Sequence, residues 1–282
     1  MIARLAIVGI GLLGGSVARA ARARGLAGHI VGIGRDRARL APALQDGTLD
    51  AVTTDMAEGV RDADMVVLAA TVLANQALLA QVFAAAAPGA VVTDVGSTKR
   101  GIVAAAERLG GRARARFVGS HPMAGSERNG YAIAREDLFD GATVIVTPTE
   151  TSDPDAVKTV VGLWEATGAR VVTMDADTHD RAVAAISHLP HVVAWALVDA
   201  VARFEPAALD VAARGFKDTT RIAVSDPLVW KEILLANRDA VVASLRAFRG
   251  ALDDLEGLIA AGDGAAVEAT LARIKAEREA LK

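Results

Sequence analysis

The segment Ile7-Val8-Gly9-Ile10-Gly11-Leu12-Leu13-Gly14-Gly15-Ser16 places a G-x-G-x-x-G turn directly behind an apolar run and at the head of a helical pattern. In that setting each glycine has its own task. The first permits the tight turn, the second lets backbone approach a pyrophosphate, and the third lets the helix pack on the strand. The helix N-terminus adds unpaired N–H groups and the positive end of its dipole, both suited to phosphate. Leu5 to Val8 before the turn and Ile30 to Ile33 after the helix read as strands, so the turn falls inside a βαβ unit.

Further strand-like runs at Met65 to Ala69, Ala90 to Thr93, Phe117 to Gly119, Thr143 to Thr147 and Arg170 to Thr173 alternate with helical spacing, as at Ser16 to Arg24 and Thr98 to Leu109. Continuous apolar runs suit strands covered on both faces, as in a parallel sheet. Residues 1–175 are therefore expected to form an α/β, doubly wound Rossmann-like domain. From about Asp177 the pattern is helical throughout, with Asp226-Pro227 as a helix start. Val242, Leu245, Phe248, Leu252, Leu255 and Ile259 mark one stripe on a long helix, and residues 176–282 are expected to form an all-α C-terminal domain.

The length of 282 residues suits two domains, and a net charge of -3 offers no basic surface for nucleic acid. The chain has no cysteine, which excludes disulfides, thiolate metal sites and thiol catalysis. The first strand begins almost at Met1 and leaves no room for a signal peptide, so a cytoplasmic protein is expected. The uncharged stretch between Asp64 and Asp94 contains Thr71, Asn75, Gln76, Gln81 and Pro88-Gly89, which divide it into strand, helix and strand rather than a membrane span.

An NAD-preferring site carries an acid about 20 residues past the third glycine, for the ribose 2′-hydroxyl. Gly34 stands there instead, followed by Arg35, which could pair with a 2′-phosphate. NADP is the favoured cofactor and NAD, through Asp36, the rival.

Five histidines occur, at 29, 121, 179, 188 and 191, so a near-neutral general base has few candidates. His121 follows the fifth of these strand-like runs, where open parallel sheets form their ligand crevice. His188 and His191 are three apart, yet Pro190 disturbs the helix between them, and no metal is expected.

His121-Pro-Met-Ala-Gly-Ser-Glu127, Ser187-His-Leu-Pro-His191, Gly215-Phe-Lys-Asp-Thr-Thr-Arg221, Ser225-Asp226-Pro227 and Asp94-Val-Gly-Ser97-Thr-Lys99 occur together with the glycine turn. In this order they resemble the prephenate and arogenate dehydrogenases of tyrosine biosynthesis. The resemblance implies oxidative decarboxylation of a cyclohexadienyl substrate, with hydride passing to NAD(P) and the ring becoming aromatic. It makes neutral His121 the base for the substrate hydroxyl, with Ser97 beside it, and Arg221 the partner of a substrate carboxylate. Ser126, Glu127, Lys217 and Asp218 would border the entrance, with His188 and His191 lining the pocket and His179 weaker still. Gly9, Gly11, Leu12, Gly14, Arg35, Thr71 and Ser97 would surround the cofactor, and the helical domain would pair two copies as a homodimer. Many relatives carry an aromatic residue where Thr219 stands, so a substrate pocket of different shape is expected.

Two other readings use the same fold. A β-hydroxyacid-type dehydrogenase would rely on a helix lysine for acid-base work, and a dinucleotide-sensing regulator would need no base at all. If His121 is the base, activity is expected to fall on the acid side with an apparent pKa of about 6 to 7.

Overall fold

A computed structural model of the chain describes residues 1–281. Its strands are β1 (Ile2–Val8), β2 (Ala27–Ile33), β3 (Ala51–Thr53), β4 (Met65–Leu68), β5 (Val91–Asp94), β6 (Phe117–Pro122), β7 (Thr143–Thr147) and β8 (Arg170–Thr173). They form one sheet in the order β3-β2-β1-β4-β5-β6-β7-β8. Alternate residues of β1 enter opposite cores, Leu5 and Ile7 on one face, Ala6 and Val8 on the other, which is why the run is apolar without a break.

Two features depart from the sequence reading. β3 is a strand of three residues that no apolar run announced. β7 runs antiparallel to β6, with Gly119 opposite Thr147 and Pro122 opposite Val144. A parallel partner needs a crossover, usually a helix. The link from β6 to β7 holds only the short turn Tyr131–Ile133, so the chain returns from the edge at which β6 ended. That return keeps Ser126 and Glu127 on the same edge as His121.

Beyond β8 the chain is helical. Ala176–Val183 continues through a π-helical turn, Ala184–His188, into Leu189–Phe204. This run of 29 residues is long and apolar enough to cross a membrane, its most apolar 18-residue stretch having a mean hydropathy of 1.4. The chain divides into two compact units, Met1–Asn237 and Arg238–Lys282. The sheet ends near residue 175, but helices as far as Asn237 belong to the first unit, which carries the whole site described below. The second unit consists of Arg238–Ala261 and Gly264–Glu279, and Leu252 and Ile259 of its apolar stripe are exposed.

Candidate active site

The glycine turn lies where the strand order reverses, between β1 and β4. Gly9 has φ +97°, and a Cβ there would stand 2.7 Å from the carbonyl oxygen of Ala69 at the exit of β4. A Cβ on Gly14 would lie 2.0 Å from the Gly9 carbonyl oxygen, whereas one on Gly11 would meet nothing within 4 Å. The protein itself thus demands the first and third glycines, while the second faces open space. The helix Leu12–Ala23 starts there with no side-chain cap and no acid in its first turn, as a bound pyrophosphate requires. Thr71 opens the helix after β4 and is exposed. Past β2, Asp36 caps the helix Arg37–Gln45 by accepting from the Ala38 N–H at 2.9 Å, and Arg35 is exposed.

His121 is a strand residue rather than a loop residue, because pairing of His121 with Ile145 prolongs β6. Its Nδ1 lies 2.9 Å from Nε2 of His179, whose own Nδ1 lies 2.7 Å from Oδ1 of Asp180. Asp180 also accepts from the backbone N–H groups of Lys99 (2.7 Å) and Arg100 (3.1 Å) at the head of the helix Arg100–Leu109. Burial raises the Asp180 pKa, but these hydrogen bonds outweigh it and hold the carboxyl below its ordinary range. An ionised carboxylate only accepts. His179 therefore carries its proton on Nδ1 and accepts at Nε2, His121 donates from Nδ1, and the free lone pair of His121 is on Nε2.

Lys99 is fully buried and pairs with Asp94, and its ammonium also donates to the Ser120 carbonyl at 2.8 Å. Burial lowers the Lys99 pKa, against the pull of Asp94. Asp94 accepts from the Gly96 N–H at 2.8 Å and the Ser120 N–H at 3.2 Å, fixing the turn that carries Ser97 and the residue before His121. Ser97 is half-buried and precedes the helix, which begins at Arg100 with Lys99 as its N-cap residue.

From the helical part, His191 stacks on Trp230 with ring centroids 3.7 Å apart, and its Nδ1 donates to the Ser187 carbonyl at 2.9 Å. His188 is buried and lies edge-on to Trp230. Both rings pack on Trp230, and among the described residues no group of three or more His, Cys, Asp or Glu is arranged to hold a metal. Arg221 pairs with Glu127 at 3.1 Å across 94 residues of sequence. Ser126 is exposed and accepts from the Arg128 N–H, and Lys217 and Asp218 are exposed, with Asp218 paired to Arg214.

The sequence pattern described as prephenate dehydrogenase, nucleotide-binding domain, matches residues 17–173, and that of the dimerization domain of the same enzymes matches 175–273. The chain belongs to the prephenate dehydrogenase family. Prephenate dehydrogenase of Bacillus subtilis is 37% identical over 84% of this chain and 64% of its own length, so the match leaves about a third of that relative uncovered. The crystal structure of prephenate dehydrogenase from A. aeolicus in complex with hydroxyphenyl propionate and NAD+ is 33% identical, with a TM-score of 0.93 over 99% of this chain and 98% of that one. Synechocystis arogenate dehydrogenase is 30% identical, with a TM-score of 0.84 over 98% and 99%.

In this member of the prephenate dehydrogenase family, the sequence reading missed Asp180 and Lys99 and undervalued His179. His179 and Asp180 contact His121 and Lys99 across about eighty positions or fewer, a distance no local motif spans. The buried acid in Asp94-Val-Gly-Ser97-Thr-Lys99 was the one available signal, since a strand-end carboxylate five residues before a lysine can close a pair.

Burial, reinforced by nearby His179, Lys99 and His188, pushes the His121 imidazole well below 6.5. The acid limb of activity expected at about 6 to 7 is corrected accordingly and belongs lower. Burial also depresses His179 and His191, and takes His188 to about 4. Between pH 6.5 and about 4 the unfolded chain binds protons that these buried rings refuse, so stability falls as pH drops through that window. Thermal melts should show the Tm decline there, less steeply in His188→Gln. A Tm independent of pH across the window would contradict the assignment.

Proposed function

We propose that the chain catalyses the NAD(P)-dependent oxidative decarboxylation of prephenate, arogenate or both, in tyrosine biosynthesis. The observation that carries this reading is the Asp180–His179–His121 chain, which leaves a neutral, basic Nε2 on the edge of the sheet that holds the glycine turn. Bound NAD(P) supplies the hydride acceptor. His121 takes the proton of the substrate hydroxyl as hydride leaves the carbinol carbon, the ring carboxylate departs as carbon dioxide, and the phenolic oxygen regains a proton afterwards. Positive charge arising on His121 is met through His179 by the Asp180 carboxylate. Ser97 orients the hydroxyl, and Arg221, with Glu127 beside it, receives a substrate carboxylate through its planar donor edge. Ser126, Lys217 and Asp218 border the entrance, and His188 and His191 line the pocket.

The lysine-based alternative is disfavoured by Lys99, which is committed to Asp94 and the Ser120 carbonyl and is fully buried. Purified protein should reduce cofactor with at least one of prephenate and arogenate, each tested with NAD and with NADP. Inactivity in all four combinations would return the chain to the regulator reading.

NADP is the preferred cofactor on this reading, because Asp36 is occupied as a helix cap and Arg35 is exposed after β2. Arg35→Ala should raise the KM for NADP about 10- to 100-fold, the worth of a hydrogen bond to a charged group, with little change for NAD. Equal changes for both would refute the role of Arg35.

We place the functional boundary between cofactor and substrate halves near residue 175, which the change of family pattern between 173 and 175 supports. The chain is proposed to work as a cytoplasmic homodimer. Exposed Ile186, Phe204, Val211, Val224, Leu228 and Leu235 lie within the stretch that matches the dimerization domain, and apolar exposure on this scale calls for a partner. Neither nucleic acid nor a membrane enters the reading.

A further inference from the structure

Asn237 is fully buried and ties the helix Arg100–Leu109 to the helical run that carries Asp180 and His188. Its Oδ1 accepts from Nη2 of Arg100 at 3.2 Å, and its Nδ2 donates to the Asp180 carbonyl at 2.7 Å. A guanidinium can only donate and a carbonyl can only accept, so the amide has one possible orientation. The second hydrogen of Nδ2 faces Nδ1 of His188 at 3.3 Å. That Nδ1 therefore holds a lone pair. The ring is kept neutral by burial, and its single proton sits on Nε2. This Nε2 is buried and has no hydrogen-bond partner among the described residues. Such a donor is costly to leave unpaired and calls for an acceptor. His188 also closes the π-helical turn Ala184–His188, the kind of backbone irregularity that recurs at functional sites. Its ring is close enough to His121 for a charge on one to oppose a charge on the other.

We propose that Asn237 is a positioning residue that locks His188 as an N–H donor, and that this donor meets a carboxylate oxygen of the cyclohexadienyl substrate. The second half rests on the reaction proposed above. One buried network, centred on Asp180, Arg100 and Asn237, then sets two histidines in opposite forms: His121 presents a lone pair at Nε2, and His188 presents a proton there. A neutral donor suits a carboxylate whose charge disappears as carbon dioxide departs. A cation in that place would stabilise the ground state more than the transition state.

The test uses full-length protein labelled with ¹⁵N at histidine, with the His188 signals identified by their loss in His188→Gln. His188 should show an unprotonated Nδ1 and a protonated Nε2, and His121 the reverse. Asn237→Asp, whose carboxylate can only accept at that position, should move the His188 proton to Nδ1. His188→Leu should raise the substrate KM about 10- to 100-fold with the cofactor KM unchanged, and His188→Gln, which keeps an N–H donor at the end of its side chain, should recover most of the loss. A protonated Nδ1 on His188 in the unaltered protein would overturn the role of Asn237. An unchanged substrate KM in His188→Leu would overturn the contact with substrate. If the unaltered protein turned over neither prephenate nor arogenate, the reaction reading would fall and the substrate contact with it, while the nitrogen spectrum would still decide the role of Asn237.

Discussion

Replacing His121 by Asn is expected to lower turnover by roughly 10²- to 10⁴-fold, the usual worth of a general base, with dinucleotide affinity little changed. The substitution is chosen for what it keeps. The Asn amide can place its NH₂ near the former Nδ1 and donate to Nε2 of His179, so the buried acceptor 2.9 Å away stays satisfied. Nothing then stands where Nε2 carried its lone pair. The glycine turn lies behind β1 and makes no use of His121, so cofactor titration by fluorescence should give nearly the original Kd. Undiminished turnover would remove His121 from the reaction. Loss of cofactor affinity as well would mean instead that β6 had been displaced.

Most of the sheet was legible because its inner strands are covered on both faces and so read as unbroken apolar runs, and because the glycine turn needs small residues at fixed spacing. β3 escaped because three residues at Ala51–Thr53 make no run at all. The direction of β7 escaped for another reason: an apolar run encodes burial but not polarity along the sheet, which the connection decides. Of the site, His121, Ser97 and Arg221 could be placed by resemblance, since their motifs are local. The relay could not, because His179 and Asp180 reach His121 and Lys99 only after the first helix beyond β8 packs against the head of Arg100–Leu109. Pro190 had argued against regular helix around His188, and the disturbance is real. It takes the form of the π-helical turn Ala184–His188, which lies immediately before Pro190 within the continuous run Ala176–Phe204.

Asp180→Asn should be nearly as damaging as loss of His121 itself, although Asp180 is not expected to touch the substrate. Its two oxygens serve only donors: Oδ1 accepts from the Lys99 N–H and from His179, and Oδ2 from the N–H and Nε of Arg100. An amide must set its NH₂ against one pair or the other. Facing Arg100, it leaves donors opposed and costs roughly 1–3 kcal/mol of stability for the unmade bonds, and it removes the anion that steadies a protonated His121. Facing Lys99 and His179, it turns the Nδ1 of His179 into an acceptor. The His179 proton then moves to Nε2, the Nδ1 of His121 must accept, and the His121 proton goes to the very nitrogen that has to receive one. Either outcome should reduce turnover by about 10²- to 10⁴-fold with little change in side-chain volume, so packing would not account for it. Steady-state kinetics and histidine ¹⁵N spectra of the variant distinguish the two, because only the second inverts His121. Turnover within about twofold of the unaltered protein, far below the worth of a correctly held base, would show that the chain from Asp180 to His121 holds the fold together without setting the base.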